Sequence, residues 1–292
     1  MLFQPMKLLE TLVQTQEFAS LPTVAAKLLS MLEDDASDVR TIAKYVEQDV
    51  AIATKVVRVA NSPVFGLRMP VSSISQAIMT IGLNRVTNIV LGVSIYSKFV
   101  YLQTLAGEYL RQFWTHSAVT ATLSRALAKL LGQDFQELEF LTGLVHDMGK
   151  LAMLQIDPDR FRKLCDAIKG GTDELDAERQ IFEATHAEAG EVIANYWKLP
   201  PQAQVAIKLH HEVELNDAEL TPLLAVVRVA DLLAEKHGYS SGEHFDGEIT
   251  DTIHWQQLIR ISKRALSLDE IESSIELELA SAHALIQALT SE

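Results

Sequence analysis

Residues 136–155 read QELEFLTGLVHDMGKLAMLQ. The stretch is expected to form one apolar helix, and it carries His146 and Asp147. No segment on either side shows a sustained period-two apolar pattern, so the chain is read as all-α. Only 13 glycines and 8 prolines interrupt its 292 residues. Toward the N-terminus, Val24, Leu28, Leu29 and Leu32 recur at helical spacing. So do Val39, Ile42, Ala43 and Val46, after a start signal at Ser37 and Asp38. Ile52, Val56, Val57 and Ala60 form a third stripe, which stops near Asn61-Ser62-Pro63 because the residue before a proline is pushed out of the helical region. Ser73-Ile74-Ser75-Gln76 has the spacing of a capping box and opens a helix through Ile78 and Ile81. Beyond Gly82 a further apolar helix runs over 84–99. The plain account of all these stripes is core packing.

From about Gly107 the histidines begin. A helix is expected over 108–131, carrying Trp114 and His116. Thr185-His186-Ala187-Glu188 is a second capping box, which places His186 in a first helical turn. Pro200-Pro201 ends that helix and starts the next, which closes at His210-His211. Pro222 opens a helix containing Asp231. Residues 238–250 look like a polar loop, and Ser267 caps a last amphipathic helix over 268–289. Its flank of Ile271, Ile275, Leu279 and Ala282 is expected to pack back on the fold, with a homodimer contact left open.

Composition bounds the function. The chain is 48% apolar and 22% charged, ordinary for a globular protein of one large or two modest domains. Its 39 acidic against 25 basic side chains give a net charge of −14, which repels phosphate backbones and argues against a nucleic-acid polymer as partner. The single cysteine, Cys165, excludes an internal disulfide framework and fits a reducing compartment. No signal peptide is evident, and no run approaches the roughly 20 apolar residues that span a bilayer. A cytoplasmic protein without membrane attachment is expected.

Seven residues then form an ordered set, H…HD…H…HH…D: His116, His146, Asp147, His186, His210, His211 and Asp231. Imidazole and carboxylate together suit iron, manganese, nickel or zinc. Such a cage can activate a water for attack on a phosphate ester. Asp147 is the candidate bridge between two ions. His116, His146 and Asp231 would complete one site, and His186, His210 and His211 the other. Lys150, about one turn beyond Asp147, is a candidate for neutralising a substrate phosphate. Each piece alone has a duller explanation. A His-Asp dipeptide is close to a chance event, a His pair at a helix end favours the helix dipole, and a lone His on an apolar face is commonly a satisfied core group. The ordered set on separate helices carries the case. The absence of cysteine from it speaks against a structural zinc site.

The segment Leu144-Val145-His146-Asp147-Met148-Gly149-Lys150 resembles the HDxGK signature of the HD superfamily. His186-Ala187-Glu188-Ala189-Gly190 and His210-His211-Glu212 resemble its later motifs. Upstream, Leu21-Pro22-Thr23-Val24, the run from Asp49 to Val57, Ala60-Asn61-Ser62-Pro63-Val64-Phe65, and Ser73 to Ile78 with Ile81-Gly82 are similar to the HDOD (HD-related output) domain of bacterial signalling proteins. Trp114-Thr115-His116-Ser117 and Tyr196-Trp197-Lys198-Leu199-Pro200 match it too. The resemblance covers roughly residues 18–235. It implies a helical N-terminal subdomain, 1–105, packed on an HD-like helical bundle with the metal site, 106–292. By the superfamily analogy the seven residues would be metal ligands for one or two divalent transition-metal ions (Fe, Mn, Ni or Zn), with Asp147 and Lys150 catalytic. The HDOD branch is regarded mostly as a signalling module without established turnover. The HD-GYP cyclic di-GMP phosphodiesterases follow their HHE with a DGxGYP element. Here Val213 to Glu219 follow instead, which argues against cyclic di-GMP as substrate. Two readings therefore stand: a metal-dependent phosphohydrolase acting on a phosphorylated small molecule or nucleotide, or a regulator that binds metal or nucleotide and meets a signalling partner in trans.

Overall fold

The computed structural model describes residues 8–14, 21–32, 39–242, 245–262 and 265–290. Among them are seventeen α-helices and no strand. The first six are α1 (Leu8–Gln14), α2 (Thr23–Leu32), α3 (Val39–Gln48), α4 (Val50–Ala60), α5 (Ile74–Ile81) and α6 (Leu83–Phe99). The start signal at Ser37 and Asp38 lies outside the described residues. Asp49 caps α4 by accepting from the Ile52 amide. Ser73 caps α5 through the Gln76 amide, but Gln76 Oε1 takes the amide and hydroxyl of Ser72 rather than the Ser73 amide. Half of the expected box is therefore present.

The long α7 (Gln103–Leu130) is the axis of the molecule. It starts five residues earlier than the sequence suggests, with non-helical dihedrals at Ala106 marking the join. One side of it packs on α8 (Leu138–Val145), and another on α14 (Pro222–Lys236) and α17 (Ile275–Thr290). Leu110, Phe113, Ala118 and Ala121 of α7 belong to a large core that runs from Leu8 to Leu289. Val119, Leu123 and Leu127 belong to a second core with Val226, Val229, Leu233, Trp255 and Ile275. Helices thus enclose α7 over Ser117–Ser124, and polar groups turned inward there meet no bulk water.

Three expectations need correction. The apolar stretch 136–155 is two helices, α8 and α9 (Met148–Ile156), with a turn at His146 and Asp147. The break follows from local hydrogen bonding: His146 Nδ1 is 2.9 Å from the Gly143 carbonyl, and the Lys150 amide donates to the Asp147 carbonyl three residues back. The last helix is also two, α16 (Leu268–Glu272) and α17. The Ser273 and Ser274 hydroxyls donate to carbonyls three residues back and compete with the helical ladder there. Finally, the helical stretch Leu83–Leu130 has the length and apolar content to cross a bilayer. More than half of its most apolar window is buried inside the fold, as expected of a core helix.

The remaining helices set out the site. They are α10 (Pro158–Lys169), α11 (Glu174–Phe182), α12 (His186–Tyr196), α13 (Pro201–Leu209) and α15 (Ile253–Ile261). At the N-terminus of α12 the capping box of Thr185 and Glu188 is complete. The helix ends at Trp197 with Lys198 in the left-handed region, and the Leu199 amide reaches back to the Ala194 carbonyl, a Schellman-type stop. Pro201 then opens α13 in its first turn. Gly149 lets α9 and α12 touch backbone to backbone, since a Cβ there would lie 1.9 Å from the His186 carbonyl oxygen. The α1 helix packs on α12, and α17 reaches α4 and the Pro63–Phe65 turn.

Candidate metal centre

The structure brings all seven ordered residues to one place. His116 comes from the middle of α7, His146 and Asp147 from the turn between α8 and α9, and His186 from the first position of α12. His210 and His211 follow the end of α13, and Asp231 lies in α14. Six of them are at most 2% exposed, and His211 alone is half-buried.

The orientation of the imidazoles is the informative feature. Nδ1 of His116 lies 2.7 Å from the Tyr239 carbonyl. Nδ1 of His146 faces the Gly143 carbonyl, and Nδ1 of His210 the Ile207 carbonyl at 2.8 Å. A carbonyl oxygen only accepts, so each Nδ1 carries the hydrogen and each neutral ring presents a bare Nε2. His186 Nδ1 is 2.8 Å from Glu178 Oε1, and its backbone amide also donates to Glu178. The four Nε2 atoms then converge. His116 Nε2 is 3.2 Å from His146 Nε2, and His186 Nε2 is 3.3 Å from His210 Nε2 and 3.0 Å from His211 Nε2. In their neutral forms His116 and His146 set two Nε2 acceptors against each other with no hydrogen to share, whereas a protonated His186 donates from Nε2 toward His210, His211 and Asp147. Buried lone pairs facing one another carry an electrostatic cost that a cation between them removes.

The carboxylates complete two overlapping groups. Asp147 Oδ1 lies 3.4 Å from His146 Nε2, 3.2 Å from His186 Nε2 and 3.4 Å from His210 Nε2. Asp231 Oδ1 lies 3.2 Å from His116 Nε2 and 3.5 Å from His146 Nε2. One group of donor atoms is Asp147, His186, His210 and His211; the other is His116, His146 and Asp147. Asp147 belongs to both. These buried groups can hold a metal ion.

Electrostatics follow from burial and neighbours. Burial opposes the ionised form of Asp147, but Lys150, His146 and His186 hold its carboxyl well below the usual range. Burial also pushes His186 down, and the Glu178 carboxylate overrides it and carries the imidazole up to about 10. His210 is held down to about 4 by burial, and His211 is also well below the ordinary value. In the metal-free protein a protonated His186 thus stands beside Asp147, with its positive charge where a cation's would be.

Lys150 is ion-paired within the protein. The residue is 4% exposed, and its Nζ lies 2.9 Å from Asp147 Oδ2, 2.9 Å from Glu174 Oε1 and 3.2 Å from Ser241 Oγ. It is tied to the protein's own acids and is not free to meet a substrate phosphate. Ser241 Oγ also donates to Asp147 Oδ2 at 2.9 Å. Residues 239–241 therefore lie over the centre, touching His116 through a carbonyl and Asp147 through a hydroxyl. The space beside the ligands, lined by His116, Asp147, Lys150, His211 and Asp231 among others, is about 10 Å³, room for about one water.

Sequence reasoning missed the groups that hold the ligands in place. Glu178 and Glu174, in a segment that nothing in the sequence singles out, are 0% and 3% exposed. Ser241 and Tyr239 sit in a segment read only as loop. Arg228 was legible in principle: Arg228, Asp231 and Glu235 stand at i, i+3 and i+7 on an apolar helix whose one other charge is the terminal Lys236. Arg228 pairs with Asp231 and reaches Glu235 at 3.5 Å. Burial and the nearby Asp231 raise Glu235 to about 8.

A family model of the HDOD domain matches residues 18–213. The chain belongs to the HDOD family. An uncharacterized protein of Treponema pallidum (strain Nichols) is 27% identical over 225 residues, covering 73% of this chain and 42% of that protein. The chain thus spans less than half the length of that relative. Among solved structures, a protein of Shewanella amazonensis SB2B provisionally named a phosphohydrolase superposes with a TM-score of 0.75 at 21% identity, over 97% of this chain and 98% of that one. One of Marinobacter aquaeolei VT8, provisionally named a signal transduction protein, gives 0.73 at 18%, over 99% of this chain and 62% of that one. At these identities the likeness establishes the shared all-α fold.

Proposed function

We propose that this HDOD protein is a signal-transduction module whose HD-type centre holds one or two divalent transition-metal ions behind residues 239–241. His116, His146 and Asp231 would hold one ion, and His186, His210 and His211 the other, with Asp147 between them. A bound ion would supply positive charge and Lewis acidity there. The observation that supports the metal reading is the convergence of four buried Nε2 atoms on the Asp147 and Asp231 carboxylates, with Nδ1 of His116, His146 and His210 committed to backbone carbonyls and that of His186 to Glu178. Enclosure favours regulation over turnover. Six of the seven side chains are buried, the adjoining space is about 10 Å³, and Lys150 is neutralised by Asp147 and Glu174. A phosphoester needs room beside the ion and an uncommitted cation for its charge. The setting we propose is cytoplasmic, with a signalling protein in trans reading the state of the centre.

The second reading, a phosphohydrolase acting on a phosphorylated small molecule or nucleotide, draws support from half-buried His211 and requires residues 239–241 to move. The test is hydrolysis of bis(4-nitrophenyl) phosphate by manganese- or iron-loaded protein. The regulatory reading expects no turnover above the free-metal background. Metal-dependent turnover that disappears in Asp147→Ala would replace it with the phosphohydrolase.

A further inference from the structure

Lys150, Glu174, Ser240, Ser241 and Gly242 line both the small space beside the histidines and a second cavity of about 170 Å³. The rest of that cavity is mainly apolar, with Phe161, Leu164 and Ile168 of α10, the Cys165 side chain, and Tyr109 of α7. Tyr109 stands edge-on to Phe161, with ring centroids 4.9 Å apart and planes at 73°. Dry apolar cavities of about 150 Å³ accept a benzene ring, so this one matches a single small ring system in size.

Its polar features narrow the ligand. The Tyr109 side chain lines the cavity, and burial holds its hydroxyl well above the ordinary range, so it remains a proton donor. The inner charges of the wall are paired: Lys150 lies between Asp147 and Glu174, and Glu178 is engaged by His186, while Lys169, the remaining charged lining residue, is exposed. A charged ligand that reaches the inner wall would have to disrupt one of these buried pairs, whereas a neutral one leaves them intact. The wall is also thin. Gly242 lies so close to Glu174 that a Cβ would sit 2.1 Å from Oε1. A molecule pressing on Glu174 therefore meets the partner of Lys150 and the backbone beside Ser241 at once.

The geometry points to a binding site here for a small, uncharged ring compound with one hydrogen-bonding edge, whose occupancy alters the grip of Ser241 and Lys150 on Asp147. The coupling half rests on the metal reading above; the binding half does not. Cys165 lines the cavity and is the single cysteine of the chain, so its alkylation reports occupancy. The experiment follows alkylation of the full chain by monobromobimane with phenol or toluene, ring compounds that differ in a hydroxyl against a methyl. Phenol should slow alkylation saturably, by at least about tenfold, and at lower concentration than toluene. Tyr109→Phe, which removes only the hydroxyl, should erase the difference. Absence of saturable protection by either compound overturns the site. Equal protection by both in wild type overturns the polar edge. For the coupling, saturating phenol should change the rate of chelator-driven manganese release from loaded protein at least about threefold. Unchanged release with Cys165 protected overturns the coupling. Should the protein take up no metal, the metal reading fails and the alkylation result still decides the site.

Discussion

His116, His146 and Asp231 lie beneath the backbone of residues 239–241, whereas His186, His210 and His211 meet where the start of α12 faces the end of α13. On the first side both imidazoles are locked by carbonyls and the carboxylate is backed by Arg228. On the second, Glu178 fixes His186 with two hydrogen bonds, Ile207 fixes His210, and the half-buried His211 places its Nε2 3.0 Å from His186 Nε2. The two sides use the same ligand chemistry with different degrees of preorganisation. On the metal reading proposed above, the first side would retain its ion more firmly. The second has one ligand free to adjust, and it is where exchange with solvent would begin.

The largest expected disruption of this arrangement is Gly149→Ala. The new methyl would collide with the His186 carbonyl and force α9 from α12, with a loss of about 3 kcal/mol, the upper end for overpacking. Chemical denaturation measures it, and metal content should fall on the second side first. Wild-type stability in this variant would mean that the close approach of the two helices is not needed to position His186. Next comes Glu178→Gln. Loss of the carboxylate that orients His186 should weaken the second ion by about 10–100-fold while sparing the first. Competition with a chelating dye resolves the two; equal weakening of both would contradict the division. His211→Ala should cost less, within about tenfold, because this side chain is the least constrained.

The smallest effect is a proton. At neutral pH the metal-free His186 is protonated, since Glu178 carries it up to about 10, so binding on the second side should release about one proton. Titration calorimetry in buffers of different ionisation enthalpy reads this directly, and a buffer-independent heat would contradict it. The same shift has a stability consequence. The folded value of His186 lies above the ordinary 6.5, so its contribution to the metal-free fold is complete below pH 6.5 and is lost as pH rises through about 10. His210, held at about 4, acts in the opposite sense: its contribution is present above pH 6.5 and is lost as pH falls toward 4.

Much of this could be read in the sequence because it is local. The Thr185 box, the Pro200-Pro201 boundary and the apolar stripe of α4 each depend on neighbours within a few residues. The seven candidate ligands were legible because their order along the chain is a pattern in itself. Features that depend on distant partners were not. Glu178 is indistinguishable in sequence from the solvated acids around it until α11 folds against the start of α12. Ser241 gains a role only by reaching Asp147 across 94 positions of chain. The turn at His146 and Asp147 was hidden by the apolar residues on both sides, which satisfy one helix as well as two. The surroundings of Lys150 were hidden for a related reason: spacing placed it one turn from Asp147, but only the tertiary structure supplies Glu174 as its second acidic partner.

The most direct test of the account is the metal content of the untagged protein by inductively coupled plasma mass spectrometry, beside Asp147→Ala. Because Asp147 belongs to both groups of donors, wild type should carry roughly one or two transition-metal ions per chain and the variant should carry none while remaining folded. A wild-type protein that stays metal-free after reconstitution with iron, manganese, nickel or zinc would contradict it.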